Sequence, residues 1–158
     1  MPTNYFERLV QLADNVFSVR TDPDQLDVNQ DVLEQLEKLH PCCVSEWNEE
    51  DGPVCWVLLF PTTSELMHLF LENEISEKQL FEQTLLAANK YDCIYLCSAL
   101  VLEEFRRKGI TSQLSIKAIE KIKQDYTILY LFAWTYTQEG KIAAESIAKK
   151  SHLPLLIR

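Results

Sequence analysis

The chain has 158 residues, 47% of them apolar, which is enough for one domain with a buried core. It shows no signal-peptide pattern and no apolar run near the ~20 residues of a membrane helix, so we expect a single cytoplasmic domain over residues 1–158. The net charge is −9, and an acidic chain is a poor partner for nucleic acid. The five cysteines lack C-x-x-C spacing, which indicates free thiols and no metal site.

The charge is unevenly distributed along the chain. Residues 1–90 carry 5 basic and 17 acidic side chains, a net charge of −12, whereas residues 91–158 carry 10 basic and 7 acidic ones, a net charge of +3. This asymmetry suits a protein that binds an anion with its second half and a cation with its first. Solubility alone would explain it equally well.

The first part of the chain predicts two helices and a hairpin. Apolar residues recur at helical spacing from Phe6 to Phe17, after a cap at Thr3 or Asn4, and again over residues 30–39. Residues 20–29 separate the two helices, and Pro41 stops the second. Residues 43–47 and 54–60 are predicted strands, because a polar stretch rich in turn formers joins them.

Two more helices are predicted between residues 61 and 91. Ser64 would cap a short helix through Leu71, and the capping box Ser76-x-x-Gln79 would start another through Ala88. Their apolar residues predict that both helices pack on a sheet. They could cover a cleft as a lid or fill a sheet face, and amphipathic helices more often do the second.

The remainder of the chain alternates strands and helices. Strands are predicted over residues 93–102, 127–136 and 153–157, with helices running to residue 124 and over residues 138–150. A strand–helix–strand–helix–strand run predicts a mainly parallel sheet that is covered by helices. No internal repeat, low-complexity segment or linker divides the chain.

A basic, glycine-containing segment lies between the first strand and the first helix of this run. Arg106, Arg107 and Lys108 precede Gly109, and a helix follows. The first N–H groups of a helix have no partner within it, and the helix dipole adds positive charge there. Gly109 would let the backbone approach a phosphate closely. The segment therefore predicts an anion site, although an ordinary strand-to-helix turn with a solvated basic patch would contain the same residues.

The pattern Arg106-x-x-Gly109-x-Thr111 after a strand resembles the Arg/Gln-x-x-Gly-x-Gly/Ala signature of the GNAT superfamily of N-acetyltransferases. The resemblance is specific over about residues 93–124 and topological elsewhere. Thr111 replaces the usual Gly or Ala, and Glu103 stands where Pro is frequent. The resemblance implies an α/β (α+β) acyl-CoA N-acyltransferase fold, with a central mixed sheet flanked by helices. Here the fold would have a helical insertion between two strands, no evident first strand and a truncated C-terminus.

The resemblance also implies acetyl-CoA as co-substrate. Its acceptor would be a primary amine, either a small amine or a protein N-terminus or lysine, in a cleft flanked by the two N-terminal helices. Main-chain groups at the strand end would pair with the pantetheine arm, and the loop amides would surround the pyrophosphate. The implied cofactor-binding residues are Leu100, Val101, Arg106, Arg107, Lys108, Gly109, Ile110, Thr111 and Ser112.

Fewer signals identify the groups that move protons. The family often has a tyrosine acid in its penultimate helix, and that position is Ile147 here, so Tyr136 is a candidate substitute. Glu103 or Glu104 is a candidate base. Each has a structural alternative, because a tyrosine commonly packs on the core and a loop carboxylate is commonly solvated.

The three histidines, His40, His68 and His152, are interpreted as structural or exposed. A non-catalytic GNAT-like module that binds an acyl-CoA or a partner protein is the alternative function. An unpaired last sheet edge would also suit a homodimer.

Overall fold

The structure is a computed structural model, and it describes residues 5–18, 23–87 and 90–158. These residues form pairs of helices and strands up to Leu86 and alternating strands and helices from Cys93 onward, with single-turn 3-10 helices at Pro41–Cys43 and Glu103–Phe105. The elements are α1 (Tyr5–Ser18), α2 (Gln30–Leu39), β1 (Val44–Glu49), β2 (Gly52–Thr62), α3 (Ser64–Leu71), α4 (Glu77–Leu86), β3 (Cys93–Val101), α5 (Ile110–Asp125), β4 (Tyr130–Ala133), α6 (Gln138–Ser151) and β5 (Leu155–Ile157).

The strands form one mixed sheet in the order β1-β2-β3-β4-β5. The first three strands pair antiparallel, and β3, β4 and β5 pair parallel. The connections β3–α5–β4 and β4–α6–β5 both lead to the next strand on the same side of the sheet. Right-handed connections that run in the same direction place their helices on the same face. Helices α5 and α6 accordingly pack together on one face of the sheet. The predicted mixed sheet flanked by helices is confirmed.

The opposite face carries the other four helices. Helix α1 packs on the ends of β2 and β3 through Leu9, Val54 and Leu100. Helices α2, α3 and α4 cover the middle of the sheet around Phe60 and Tyr95. The insertion between β2 and β3 therefore fills a sheet face, which was the more frequent of the two expected roles.

Local capping signals fix where the helices begin. The predicted capping box of Ser76 and Gln79 is formed at the start of α4, and Asn29, for which no cap was predicted, caps α2. The expected cap of α3 at Ser64 is wrong: the Thr63 hydroxyl accepts the Leu66 N–H instead. Ser64 is the first residue of the helix. Its N–H and its hydroxyl both donate to the carboxylate of Asp92, which directly precedes β3.

Strand lengths differ from the sequence expectation. Of the predicted strand over residues 127–136, only Tyr130–Ala133 pairs, and β5 begins at Leu155 and not at residue 153. A strand before α1 would fall on residues 1–4, which lie outside the described residues, and Leu155–Ile157 is the last strand described. The expected caps at Thr3 and Asn4, part of the loop over residues 20–29, and the expected helix end at Ala88 lie outside the described residues.

Helix α4 places a carboxylate inside the core. Glu77 is only 2% exposed. One of its oxygens accepts the Leu26 N–H at 2.6 Å, and the other accepts the Tyr95 hydroxyl. The Glu77 N–H donates to the Asp24 carbonyl at 2.7 Å. A single buried side chain therefore ties the insertion both to the central strand and to the segment before α2.

We expect the free energy of unfolding to decrease as the pH rises above about 10, because Tyr95 is buried as a neutral phenol. Burial and then the nearby Glu77 raise the pKa of Tyr95 well above its usual value. Below the pKa of the unfolded chain, both states hold the phenolic proton and the contribution to stability is complete. Above it, only the unfolded chain loses that proton readily, so unfolding becomes more favourable. Urea unfolding from pH 9 to 11 should show a shallower decline for Tyr95→Phe than for the unmodified chain. Parallel declines would contradict this assignment.

Candidate functional site

The parallel strands β3 and β4 separate part-way along their length. Their pairing runs only from Cys93 opposite Tyr130 to Leu96 opposite Ala133. Beyond that point, residues 98–101 pair with β2 alone, within the described part of the chain. The separation leaves a hollow of about 390 Å³, which we term the splay cleft. Its lining includes Ser98, Ala99, Thr111, Trp134, Tyr136 and Ile147.

A β-bulge lies where the two strands part. Leu59 pairs with Leu96 and Leu58 pairs with Ser98, so Cys97 is an extra residue in β3. The bulge turns two consecutive side chains toward one face of the sheet. Cys97 packs against the aromatic core, and Ser98 lies beside Leu58. The bulge thus exposes the Ser98 side chain beneath the N-terminal helices.

A second hollow lies between the sheet and these helices, and we term it the helix-side cavity. It has a volume of about 620 Å³. Its described lining comprises Phe6, Val10, Ala13, Asp14, Asp27, Val28, Asn29, Gln30, Leu33, Val44, Trp56, Leu58, Ser98 and Leu100. Leu58 and Ser98 also line the splay cleft, so the two hollows adjoin at the bulge.

The segment after β3 forms an exposed loop; we term residues 106–109 the basic loop. Arg107 and Gly109 both adopt left-handed backbone angles, with φ of 64° and 76°. Gly109 is the N-cap of α5, and its carbonyl accepts the Gln113 N–H. The main-chain N–H groups of residues 107–112 have no acceptor among the described residues. A succession of free donors at a helix N-terminus is suited to an anion.

The side chains of the basic loop are exposed. The Arg106 guanidinium donates from Nε to the Val101 carbonyl at 3.3 Å, and the Lys108 ammonium lies 5.4 Å from the centre of the Phe105 ring. Both contacts leave charged nitrogen atoms in solvent. The loop therefore combines fixed main-chain donors with mobile positive charge.

The comparisons with known proteins identify the family. A family model described as the acetyltransferase (GNAT) family matches residues 6–146. The chain belongs to the GNAT family. The match includes the described lining of both hollows except Ile147, together with the basic loop and most of α6. Membership indicates an acetyltransferase-type function, and the family generally uses acetyl-CoA. No curated protein and no solved structure matches the chain.

The residues in and beside the GNAT signature differ in their surroundings, and those of Thr111 explain why it can replace Gly or Ala. The Thr111 hydroxyl lies 3.7 Å from the Cys55 thiol on β2, so its side chain points toward the sheet and leaves the loop open. Ile110 is buried, and the Ser112 hydroxyl is buried without a hydrogen-bond partner in the described part of the chain. Arg107 holds a left-handed position that glycine adopts more easily.

The two strand residues expected to contact the GNAT cofactor lie on opposite faces of the sheet. Leu100 points into the helix-side cavity, whereas Val101 packs on the α5 side. Their main chains follow the edge that β4 leaves open, between the bulge and the basic loop.

The candidate GNAT proton-transfer residues are widely spaced. Tyr136 is 55% exposed and lines the splay cleft, with its ring 4.9 Å from that of Trp134. Ile147 also lines this cleft, and it is buried. Glu103 is exposed in the loop before Arg106 and lines neither hollow.

Glu104, just before the basic loop, forms an exposed ion pair with α1. Both of its carboxylate oxygens accept from Arg8, at 2.6 and 2.7 Å. This pairing lowers the pKa of Glu104 to about 2. A carboxylate with so low a pKa is a weak base, and Glu104 also lines neither hollow.

No histidine lies in either hollow. His68 and His152 are exposed, and His40 is buried with its Nε2 2.7 Å from Asp125. Within residues 5–18, 23–87 and 90–158, no group of His, Cys, Asp and Glu side chains could hold a metal ion. None of the helices described is both long and apolar enough to cross a bilayer.

Sequence reasoning missed the bulge and the residues around it. Ser98 lies within an apolar run in which no local signal marks an extra residue. Asp14 and Asp27 contributed only to the overall acidity of the first half.

Proposed function

We propose that this GNAT chain transfers an acetyl group from acetyl-CoA to a primary amine. The donor would lie in the splay cleft and the acceptor in the helix-side cavity. The observation that supports this proposal best is that the two hollows adjoin at Leu58 and Ser98, next to a bulge in the central strand. An acyl group bound on one side of this point would face a nucleophile bound on the other side.

The residues present suit the donor. The free N–H groups of residues 107–112 would bind the pyrophosphate, and Arg106 and Lys108 would attract it from a distance. The open edge of β3, including Leu100 and Val101, would offer main-chain groups to the amides of the pantetheine arm, as an added strand does. When bound, acetyl-CoA supplies an activated acyl group as a thioester.

The acceptor must lose a proton before it can attack. Asp14 and Asp27 are the only carboxylates in the described lining of the helix-side cavity, and both are exposed. The proton would therefore pass to water at the mouth of the cavity. A main-chain N–H near the bulge would stabilise the negative charge that develops on the acyl oxygen. The Tyr136 hydroxyl, in the splay cleft, would protonate the departing sulfur.

We expect Tyr136→Phe to lower kcat by at least ~10-fold while the KM for acetyl-CoA changes little, since positioned proton donors typically contribute that much or more. Tyr130→Phe is the matched control, because Tyr130 is half-buried on β4 and lines neither hollow. Initial rates with a saturating amine would measure both values. Equal rates for the two variants would remove Tyr136 from the mechanism.

The proposed function is tested by mixing the protein with acetyl-CoA and a panel of amines. Release of free thiol should depend on both the protein and the amine. In a thermal shift experiment, acetyl-CoA at 100 times its Kd should stabilise the native state by about 2.7 kcal/mol. No shift with millimolar acetyl-CoA and no thiol release would overturn the proposal.

One observation favours the alternative, a non-catalytic module that binds acyl-CoA. The apolar Ile147 lines the splay cleft at the position where the family often has its tyrosine acid. A thermal shift with acetyl-CoA, together with no thiol release on any amine, would support this alternative.

A further inference from the structure

We infer that the helix-side cavity selects amines that carry a bulky apolar group and no carboxylate, with arylalkylamines as the best-fitting class. This inference rests on the proposed function and names the acceptor that the function leaves open. Three properties of the cavity support it: its apolar walls, the exposed aromatic ring at its mouth, and the sign of its charge.

The walls of the cavity are mostly apolar. Val10, Val28, Leu33, Leu58 and Leu100 contribute aliphatic side chains from α1, α2, the segment before α2 and the sheet. A volume of about 620 Å³ lies within the range of pockets that enclose small organic molecules. A short polar amine would leave these walls in contact with water, whereas an apolar group would cover them. Burial of apolar area is favourable by about 25 cal/mol per Å².

An aromatic pair borders the same cavity. Phe6 is 54% exposed, and its ring packs edge-to-face on Trp56 with 6.2 Å between centroids. The Trp56 indole is held in place by its N–H bond to Glu46 at 2.8 Å. An exposed aromatic ring next to a fixed one offers a surface on which another ring can pack. An aryl group on the acceptor would cover Phe6.

The charge of the cavity is negative. Asp14 and Asp27 line it, and its described lining contains no Lys, Arg or His. An approaching ammonium is attracted to these carboxylates. A carboxylate on the acceptor would lose water without gaining a cationic partner and would also meet two like charges. The cavity therefore discriminates between an amine and the corresponding α-amino acid.

The geometry of transfer fixes which end of the acceptor enters first. The amine must reach Ser98 and Leu58, where the hollows adjoin, so its apolar body remains between Val10 and Leu33. The nitrogen lone pair forms a bond to the acyl carbon, and the carbon–sulfur bond breaks with its electron pair on sulfur. The ammonium loses one proton to water before the attack, and the nitrogen loses a second proton to water after it. The sulfur takes up one proton from the Tyr136 hydroxyl, which regains a proton from water, so that one proton is released in total.

Pairs of acceptors that differ only in one carboxylate test the inference. We expect kcat/KM to be at least tenfold higher for tryptamine than for tryptophan, and for phenethylamine than for phenylalanine. Tryptophanamide retains the bulk at the α-carbon without the negative charge, and it should recover most of the difference. Ethanolamine and spermidine should be poorer than tryptamine. Equal use of tryptamine and tryptophan, or a preference for ethanolamine or spermidine, would overturn the inference.

Matched variants test the role of charge. The double variant Asp14→Asn with Asp27→Asn should reduce the preference for tryptamine over tryptophan by about tenfold. Asp31→Asn with Glu37→Gln is the control, because both residues are exposed on α2 and lie outside the cavity lining. The thermal shift with acetyl-CoA should be the same in both, which shows that the donor site is intact. An equal loss of preference in the control would contradict a local role for Asp14 and Asp27.

The two proposals can fail separately. If acetyl-CoA binds and thiol is released with amines but without the expected selectivity, only the inference on the acceptor fails. If acetyl-CoA neither binds nor releases thiol with any amine, the proposed function fails, and the inference fails with it.

Discussion

Arg106→Glu combined with Lys108→Glu should weaken acetyl-CoA binding by roughly 100-fold or more. The two side chains extend from the loop whose free main-chain N–H groups would bind the pyrophosphate. Each charge-assisted hydrogen bond is worth about 1.5–3 kcal/mol, and the new carboxylates would repel the phosphates in addition. Isothermal calorimetry at two salt concentrations would measure the loss, which should be smaller at the higher concentration because salt screens exposed charges.

The control for this variant is Lys117→Glu with Lys121→Glu. It changes the net charge by the same amount at exposed positions of α5, more than two turns from the loop. We expect its affinity for acetyl-CoA to change less than threefold, as distant exposed charges interact weakly. Similar losses in both variants would mean that only the overall charge matters. Unchanged affinity in the loop variant would mean that the cofactor binds elsewhere.

Glu77→Ala should destabilise the fold by about 3–5 kcal/mol, as expected when a buried, hydrogen-bonded charge is removed and a cavity is left. The substitution deprives the Leu26 N–H and the Tyr95 hydroxyl of their acceptor. For a chain of this length, the expected decrease in Tm is roughly 6–20 °C. Glu82→Ala, at an exposed position of the same helix, should change the stability by less than about 0.5 kcal/mol.

The same variant links the insertion to the acceptor. Leu26 and Asp24, which bond to Glu77, directly precede Asp27 and Val28 in the lining of the helix-side cavity. We therefore expect any folded Glu77→Ala protein to show a larger rise in KM for the amine than for acetyl-CoA. Equal rises would indicate a general loss of structure and no specific effect on the cavity.

The sequence predicted most of the architecture because strong local signals define it. Apolar spacing and the caps at Asn29 and Ser76 determine the start of α2 and α4. The alternation after Cys93 determines the parallel half of the sheet. Local signals did not predict that Thr63, and not Ser64, caps α3. Asp92, which is distant in sequence, accepts hydrogen bonds from Ser64, and the Thr63 hydroxyl caps the helix.

The candidate site was predictable only in part. The basic residues and Gly109 mark the loop in the sequence, but arginine carries no signal for the left-handed angle that Arg107 adopts. The splay cleft and the helix-side cavity depend on where strand pairing stops, which long-range contacts decide. The assigned roles of the loop residues, of Glu103 and of Tyr136 stay predictions.

The extra residue in β3 sets the phase of everything that follows it in the strand. Alternate side chains point to opposite faces, but Cys97 and Ser98 point to the same face, so β3 contains one residue more than its pairing with β2 uses. Deleting Cys97 would remove the bulge and leave a regular ladder, in which Leu100 stays under α1 and Ala99 stays on the other face. A deletion between Cys93 and Leu96, where the ladder is regular, has no spare residue to absorb it. We therefore expect loss of Cys97 to be tolerated better than loss of any one residue in that regular part of the strand.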